Sequence, residues 1–268
     1  MISREVVMYK LKAFATSLAV FTVFAVALGL LVRFVMYPDY LFWLDGGIQG
    51  LKLVWTVDFF LGPLLAFIIF HPRKVRQKLL TDMLIVGLIQ FSAMTWGAYM
   101  VWSQRPVAIA YSEGQFMTLT PEVISLQGAT LADLRSKSAE LPSYFYQRHP
   151  ASPEEEMSMI GLAFTQGIPA GQQIALFVPV SSIDSEAFSL SNRVERYVED
   201  EMRDEWRAWA LGRESATPAD YRFAMFVGRY GNAVLVFDAN AKLAGYLRLV
   251  GEKLPVLPLP TPRRWDAQ

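Results

Sequence analysis

The chain has 268 residues, of which 53% are hydrophobic and 19% are charged, and its formal net charge is zero. A mean hydropathy of +0.26 is high for a soluble protein and favours membrane spans joined to a water-soluble part. Zero net charge provides no basic field for nucleic acid, and the absence of cysteine excludes disulfides, cysteine-ligated metals and a cysteine nucleophile.

The charges divide the chain into two parts. Residues 1–102 contain nine Lys/Arg and five Asp/Glu, whereas residues 103–268 contain 16 and 20. This pattern predicts an apolar membrane region at 1–102, followed by one extramembrane domain at 103–268, which is long enough to have its own core.

Three apolar runs in the first part are each long enough to cross about 30 Å of hydrocarbon, which requires about 20 helical residues. They predict an α-helical membrane bundle with spans at about 13–32, 53–70 and 83–102. No small-x-small cleavage site follows the first run, so we interpret it as a retained anchor rather than a signal peptide.

The orientation of these spans follows from basic clusters, which stay on the cytoplasmic side. One cluster precedes the first run and another lies between residues 71 and 82. The sequence therefore predicts a multi-pass protein of a bacterial inner membrane. Its N-terminus is cytoplasmic, residues 33–52 form a short outer loop, and the C-terminal domain is periplasmic.

An acidic residue interrupts the second run, because Asp58 lies about 8 Å inside its outer end at 1.5 Å per residue. Pro63 removes a backbone donor one turn deeper, which predicts a kink beside the acid. One interpretation is a structural polar contact among the spans. The other is a polar, bent groove that receives a partner helix. For that groove the candidate partner-binding residues are Asp58, Gly62, Pro63, Asp45, Arg33 and Tyr99.

The second part predicts a periplasmic α+β domain. A hairpin is expected at 107–111 and 116–120, and three β-rich runs at 222–228, 232–238 and 243–250 favour an antiparallel sheet. Ser152 and Pro153 are typical of a helix start. A longer helix is predicted at about 185–211, a further strand at 173–180, and an extended proline-rich tail at 254–265.

No catalytic constellation is found in the sequence. The two histidines, His71 and His149, are predicted on opposite sides of the membrane, so no site can use both. The acidic run Glu154–Glu156 suits the positive end of a helix dipole, with calcium binding as the alternative. We therefore predict no enzymatic activity, no cofactor and no metal.

Several short motifs follow one another in a fixed order. They are Tyr37-Pro38, LFWLDGGIQGL (41–51), VDFFLGPLL (57–65), FHPRK (70–74), the IQ pair (89–90), QRPVAIAY (104–111) and GNAVLVFDANAKLAGYLRL (231–249). This series resembles the TfpX/TfpZ family of type IV pilin accessory proteins.

The resemblance implies a non-enzymatic inner-membrane protein that binds a cognate major pilin and promotes its stability or assembly. Its partners would be that pilin, the lipid bilayer and other pilus assembly components, with no nucleic acid. The alternative is a membrane-anchored periplasmic ligand-binding or sensor module, which would have a pocket in the outer domain.

Overall fold

The computed structural model describes residues 4–56, 65, 76–112, 114–138, 142–181, 186–188, 190–211, 213 and 217–249. The chain forms two compact units, an N-terminal unit (Met1–Arg105) and a C-terminal unit (Pro106–Gln268). Each is described by itself below.

The N-terminal unit is helical. Helix α1 (Arg4–Leu31) continues as a π-helical turn (Val32–Met36), and a short helix α2 (Leu41–Leu44) follows it. Helix α3 contains residues 47–56, and helix α4 spans Arg76–Ser103. Gly46 makes the turn into α3 with a φ of 110°. Residues with a side chain rarely adopt this backbone conformation.

Helices α3 and α4 approach each other closely through glycines. A Cβ atom on Gly50 would lie 2.9 Å from a methyl of Val101, and one on Gly97 would lie 2.8 Å from a methyl of Val54. We call these two pairs the glycine–valine contacts. Because the residue numbers run in opposite directions, the helices are antiparallel. Small residues at such positions let helix backbones approach in apolar surroundings.

The predicted three-helix membrane bundle is wrong. Within the described residues, one helical segment is long and apolar enough to cross a membrane, Leu84–Ser103, and the apolar helical stretch Phe21–Met36 is shorter. Of the first predicted span, 13–32, the apolar helical stretch found includes only the part from Phe21 onward, and most of the second, 53–70, lies outside the described residues. Leu84–Ser103 is consistent with membrane association of the chain.

The C-terminal unit contains one seven-stranded sheet with the order β4-β3-β1-β2-β5-β6-β7. The strands are β1 (Ala108–Ser112), β2 (Gln115–Leu119), β3 (Ser143–Gln147), β4 (Phe177–Pro179), β5 (Arg222–Val227), β6 (Asn232–Phe237) and β7 (Leu243–Arg248). The β1–β2 hairpin and the three C-terminal strands confirm the runs identified in the sequence.

The expectation of an antiparallel sheet is wrong, because β1 pairs with β3 and β2 pairs with β5 in parallel. Parallel neighbours need a long crossover connection. Helices α5 (Pro121–Leu126) and α6 (Leu131–Lys137) form part of the first crossover. The second also contains α7 (Pro153–Gln166), α8 (Ser191–Glu201) and α9 (Arg203–Ala210).

One face of the sheet is covered by helices. Leu134 of α6 packs with Phe145 and Phe177 over one part, and Val194, Val198 and Trp206 of α8 and α9 pack with β5, β6 and β7 over the other. The single helix predicted at 185–211 is interrupted, because Met202 leaves the helical conformation (φ −119°, ψ 29°) while its side chain is buried.

The opposite face curls around an aromatic core. The rings of Tyr144 on β3 and Phe237 on β6 are 5.5 Å apart. In a flat sheet these strands, four positions apart, would be separated by about 19 Å at 4.8 Å per strand. The sheet is therefore strongly curved, and Phe116, Phe188 and Phe237 pack inside the curve.

Candidate partner-binding surface

Helix α4 presents two different faces. The first is an inner stripe of buried and half-buried side chains at helical spacing, formed by Val86, Gln90, Met94, Gly97 and Val101. Among the described residues of α4, seven large hydrophobic side chains are exposed by half or more. Four of these point away from the inner stripe, and we call them the outer face of α4: Ile85, Leu88, Trp96 and Tyr99. A helix with an exposed apolar face requires lipid or a partner to cover it.

The C-terminal end of α4 has the chemistry of a membrane–water boundary. The Arg105 guanidinium lies 3.6 Å from the centre of the Trp102 ring and donates a hydrogen bond to the Trp102 carbonyl (2.8 Å). Tryptophan and arginine are both favoured at that level of a bilayer. This end of the helix is thus suited to the headgroup region.

Helix α1 and the π-helical turn after it also expose apolar side chains, among them Phe24, Leu31 and Phe34. The other side of α1 packs on α3, because Gly29 lies against the Trp55 ring and the Trp55 indole N–H donates to the Ala25 carbonyl (3.2 Å). The N-terminal unit therefore combines a tightly packed interior with an apolar exterior.

Two sequence-predicted site residues, Arg33 and Asp45, lie around α2. The Arg33 guanidinium is 5.6 Å from the centre of the Phe42 ring, and Asp45 is fully buried directly after α2 with its N–H donating to the Leu41 carbonyl (2.9 Å). The segment predicted as a short outer loop is a packed turn, because the buried Tyr37 donates its hydroxyl to the Val101 carbonyl (3.3 Å).

Of the other sequence-predicted site residues, the structure describes Tyr99. Tyr99 is 59% exposed on the outer face of α4, where its ring lies 6.1 Å from that of Trp96. Asp58, Gly62 and Pro63 lie outside the described residues.

Sequence reasoning missed the glycine–valine contacts, although they decide which side of α4 points inward. The available signal was the spacing: Gly50 and Val54, and likewise Gly97 and Val101, are four residues apart on their helices. Residues at i and i+4 share a helix face, so each pair presents one small and one branched residue together.

The acidic run at the start of α7 has a structural explanation. Glu155 accepts hydrogen bonds from Arg148 (2.9 and 2.5 Å) and from the Ala151 N–H (2.6 Å), while Ser152 caps the helix. Among the described residues, no group of three His, Cys, Asp or Glu side chains is placed to hold a metal. The hydrogen bond from Arg148 lowers the pKa of Glu155 to about 2, and the Ala151 N–H adds to the effect.

This ion pair predicts a pH dependence. Because the folded pKa of Glu155 lies below its ordinary value of 4.5, its stabilising effect is complete above about 4.5 and is lost as pH falls towards 2. Glu155→Gln should therefore unfold at lower urea than the wild type at pH 6, and the two midpoints should converge near pH 2. Urea titrations followed by circular dichroism measure this. A constant difference across that range would contradict the assignment.

Comparison with known proteins relates the chain to fimbrial assembly proteins of Dichelobacter nodosus. It is 30% identical to that of serogroup I over 168 residues, which cover 60% of this chain and 63% of the relative. It is 29% identical to that of serogroup E1 over 167 residues, with the same shares. The protein of serogroups C1 and C2 is 34% identical over 90 residues, 34% of this chain and 68% of the relative.

The matched region thus spans less than two thirds of the length of the first two relatives. No family model matches the chain. No solved structure matches it either.

Proposed function

Because this chain belongs to the family of fimbrial assembly proteins, we propose that it is a type IV pilus accessory protein, as the TfpX/TfpZ resemblance implies. In this proposal it acts by binding the major pilin in the inner membrane, and it catalyses no reaction. The relatives' names describe assembly rather than chemistry, which supports a binding role.

The observation that carries the proposal is the outer face of α4. A type IV pilin, as the resemblance implies, has a hydrophobic N-terminal membrane helix, and such a helix needs an apolar surface to pack on. The outer face offers Ile85, Leu88, Trp96 and Tyr99 at spacings of three, eight and three residues, which keeps them on one side of the helix. Their burial against a second helix would remove them from lipid without any charged group to desolvate.

The proposed orientation rests on charge. Four basic residues, Arg73, Lys74, Arg76 and Lys78, precede or begin α4, and Asp82 is the one acid among residues 71–82. Such clusters stay cytoplasmic, so a membrane-crossing α4 places the C-terminal unit in the periplasm.

Thiol labelling tests this orientation. The chain has no cysteine, so His149→Cys introduces a single thiol at an exposed position. A membrane-impermeant thiol reagent should label it in spheroplasts. Labelling only after lysis would contradict the orientation.

Photocrosslinking in cells tests the binding surface. A photoreactive residue in place of Tyr99 should form an adduct with the major pilin, whereas the same residue in place of the half-buried Met94 should form little, because Met94 points to the inner side of α4. The adduct is identified by its dependence on the pilin gene and by mass spectrometry. Adducts with lipid alone at position 99, or equal pilin adducts at both positions, would exclude the outer face as the pilin-binding surface.

A further inference from the structure

A half-buried arginine is held between two aromatic rings in the N-terminal unit. The Arg33 guanidinium lies 5.4 Å from the centre of the Phe34 ring and 5.6 Å from that of the Phe42 ring. Within the described part of the chain, no carboxylate pairs with Arg33 and no oxygen accepts a hydrogen bond from it. The rings attract the cation, but the N–H groups at its edge still require acceptors, as polar groups in apolar surroundings do.

The backbone that carries this arginine is unusual. Val32–Met36 form a π-helical turn, of which the first and last side chains are buried. Single π-helical turns are rare and occur frequently at functional sites. Phe34 and Val35, inside the turn, are 67% and 60% exposed. The turn therefore places Arg33 at the edge between the packed interior of the unit and its exterior.

The surface beside Arg33 is apolar. Phe34 and Val35 directly follow it in the sequence. Trp43 is 44% exposed, and its ring packs edge-on against that of Phe42 at 4.9 Å. An arginine among exposed aromatic and aliphatic side chains is typical of the level at which lipid headgroups meet acyl chains.

Contacts within the N-terminal unit place Arg33 near the end of α4 that is suited to the headgroup region. The Tyr37 hydroxyl donates to the Val101 carbonyl (3.3 Å). Val101 directly precedes Trp102, whose ring lies 3.6 Å from the Arg105 guanidinium. Because Arg33 lies only four residues before Tyr37, its guanidinium is close to the level of that helix end.

Phosphate chemistry fits this arrangement. A guanidinium presents its N–H groups as a planar fork that binds two oxygens of one phosphate, and rings against its faces leave the fork available. Basic sites between membrane helices bind anionic headgroups. We infer that Arg33 binds the phosphodiester group of an anionic phospholipid, whose acyl chains pack on Phe34, Val35 and Trp43. Such a site requires α4 in a membrane but no pilin.

Lipid binding to the purified full-length protein tests this inference. The protein is delipidated in detergent, phosphatidylglycerol is added, and native mass spectrometry measures the fraction with one lipid bound. Arg33→Gln should weaken this binding about 10–100-fold, the effect of losing hydrogen bonds to a charged group. Arg33→Lys retains the charge without the fork, so its affinity should lie between those of the wild type and Arg33→Gln.

Arg105→Gln is the matched control. Arg105 also lies on an aromatic ring at this level, but it already donates to the Trp102 carbonyl. Its replacement should weaken binding at most about fivefold, the general attraction of one basic residue to anionic lipid. Equal losses from Arg33→Gln and Arg105→Gln would overturn the inference.

Headgroup specificity is measured on the wild type, so it does not depend on whether Arg33→Gln folds. Phosphatidylglycerol should bind more tightly than phosphatidylcholine, which has the phosphate but no net charge, and glycerol phosphate should not displace it. Equal affinity for the two lipids would overturn the inference, and displacement by glycerol phosphate would assign the site to a free phosphate ligand. Unchanged lipid binding by Arg33→Gln, with loss of the pilin adduct at position 99, would assign Arg33 to a pilin carboxylate instead.

Discussion

Replacing Phe237 by alanine is expected to lower the free energy of unfolding of the C-terminal unit by about 3–5 kcal/mol, the usual range for a fully buried phenylalanine. Phe237 has no exposed surface. Its ring contacts those of Phe116 (5.6 Å), Tyr144 (5.5 Å) and Phe188 (5.0 Å). These rings come from distant strands and a separate helical turn. Removing the Phe237 ring would therefore leave a cavity where the packed side chains around which the sheet curves meet.

Pulse proteolysis of the full-length protein across a urea series measures this loss, since the C-terminal unit is cleaved where it unfolds. Phe237→Leu should cost about 1–2 kcal/mol, because most of the volume is retained. Tyr230→Ala is the matched aromatic control: Tyr230 is 59% exposed, and surface changes usually stay within about 0.5 kcal/mol. Similar losses for Phe237→Ala and Tyr230→Ala would show that the curved aromatic core is absent.

The second large effect is expected in the N-terminal unit. Gly97→Leu forces a side chain into the space occupied by Val54, because even a Cβ atom at position 97 would lie 2.8 Å from its methyl group. Overpacking of this kind costs about 1–3 kcal/mol, and here it must also push α3 away from α4. The temperature of thermal unfolding in detergent and the amount of protein in membranes should both fall.

Helix α4 supplies its own control. Gly87→Leu makes the same chemical change on the same helix, but a Cβ atom at Gly87 would meet nothing within 4 Å. This variant should unfold at the same temperature as the wild type or at a slightly higher one, because leucine favours the helical conformation more than glycine does. Adding Val54→Ala to Gly97→Leu should recover part of the loss. Equal behaviour of the two glycine variants would refute the glycine–valine contacts.

Local signals in the sequence predicted the elements whose structure depends on near neighbours. The hairpin of β1 and β2 and the strands β5, β6 and β7 are sequential, so their alternation and turns are sufficient. The start of α7 likewise follows from Ser152 as its cap and Pro153 at the first helical position. These features need no knowledge of distant parts of the chain.

The rest depends on long-range contacts that no local pattern encodes. The short segment SYFYQ becomes β3 because it pairs with β1 in parallel across more than 30 residues. In QIALFVPV, the strand is limited to the three residues of β4 at the sheet edge. The curvature that joins Tyr144 and Phe237 is a property of the whole sheet.

The candidate site, too, was predicted only where local sequence is sufficient. Apolarity of α4 was evident from composition, and the structure places Tyr99 on its exposed face. Composition did not indicate that Asp45 is buried in a packed turn beside α2, because that burial depends on how Gly46 and Gly47 fold the chain back. A loop rich in glycine and aromatic residues is compatible with either an exposed or a packed structure.

The parallel pairing of β2 with β5 has a consequence for how the C-terminal unit folds. Phe116 pairs with Phe226, about 110 residues later, and synthesis at 5–20 residues per second takes roughly 5–20 s to produce that interval. Throughout this time the β1–β2 hairpin has formed its local bonds, but one edge of β2 lacks its neighbour. Unpaired strand edges bind other chains. The growing polypeptide is thus most vulnerable to aggregation before its C-terminal third emerges, and shielding during that interval should raise the yield of folded protein.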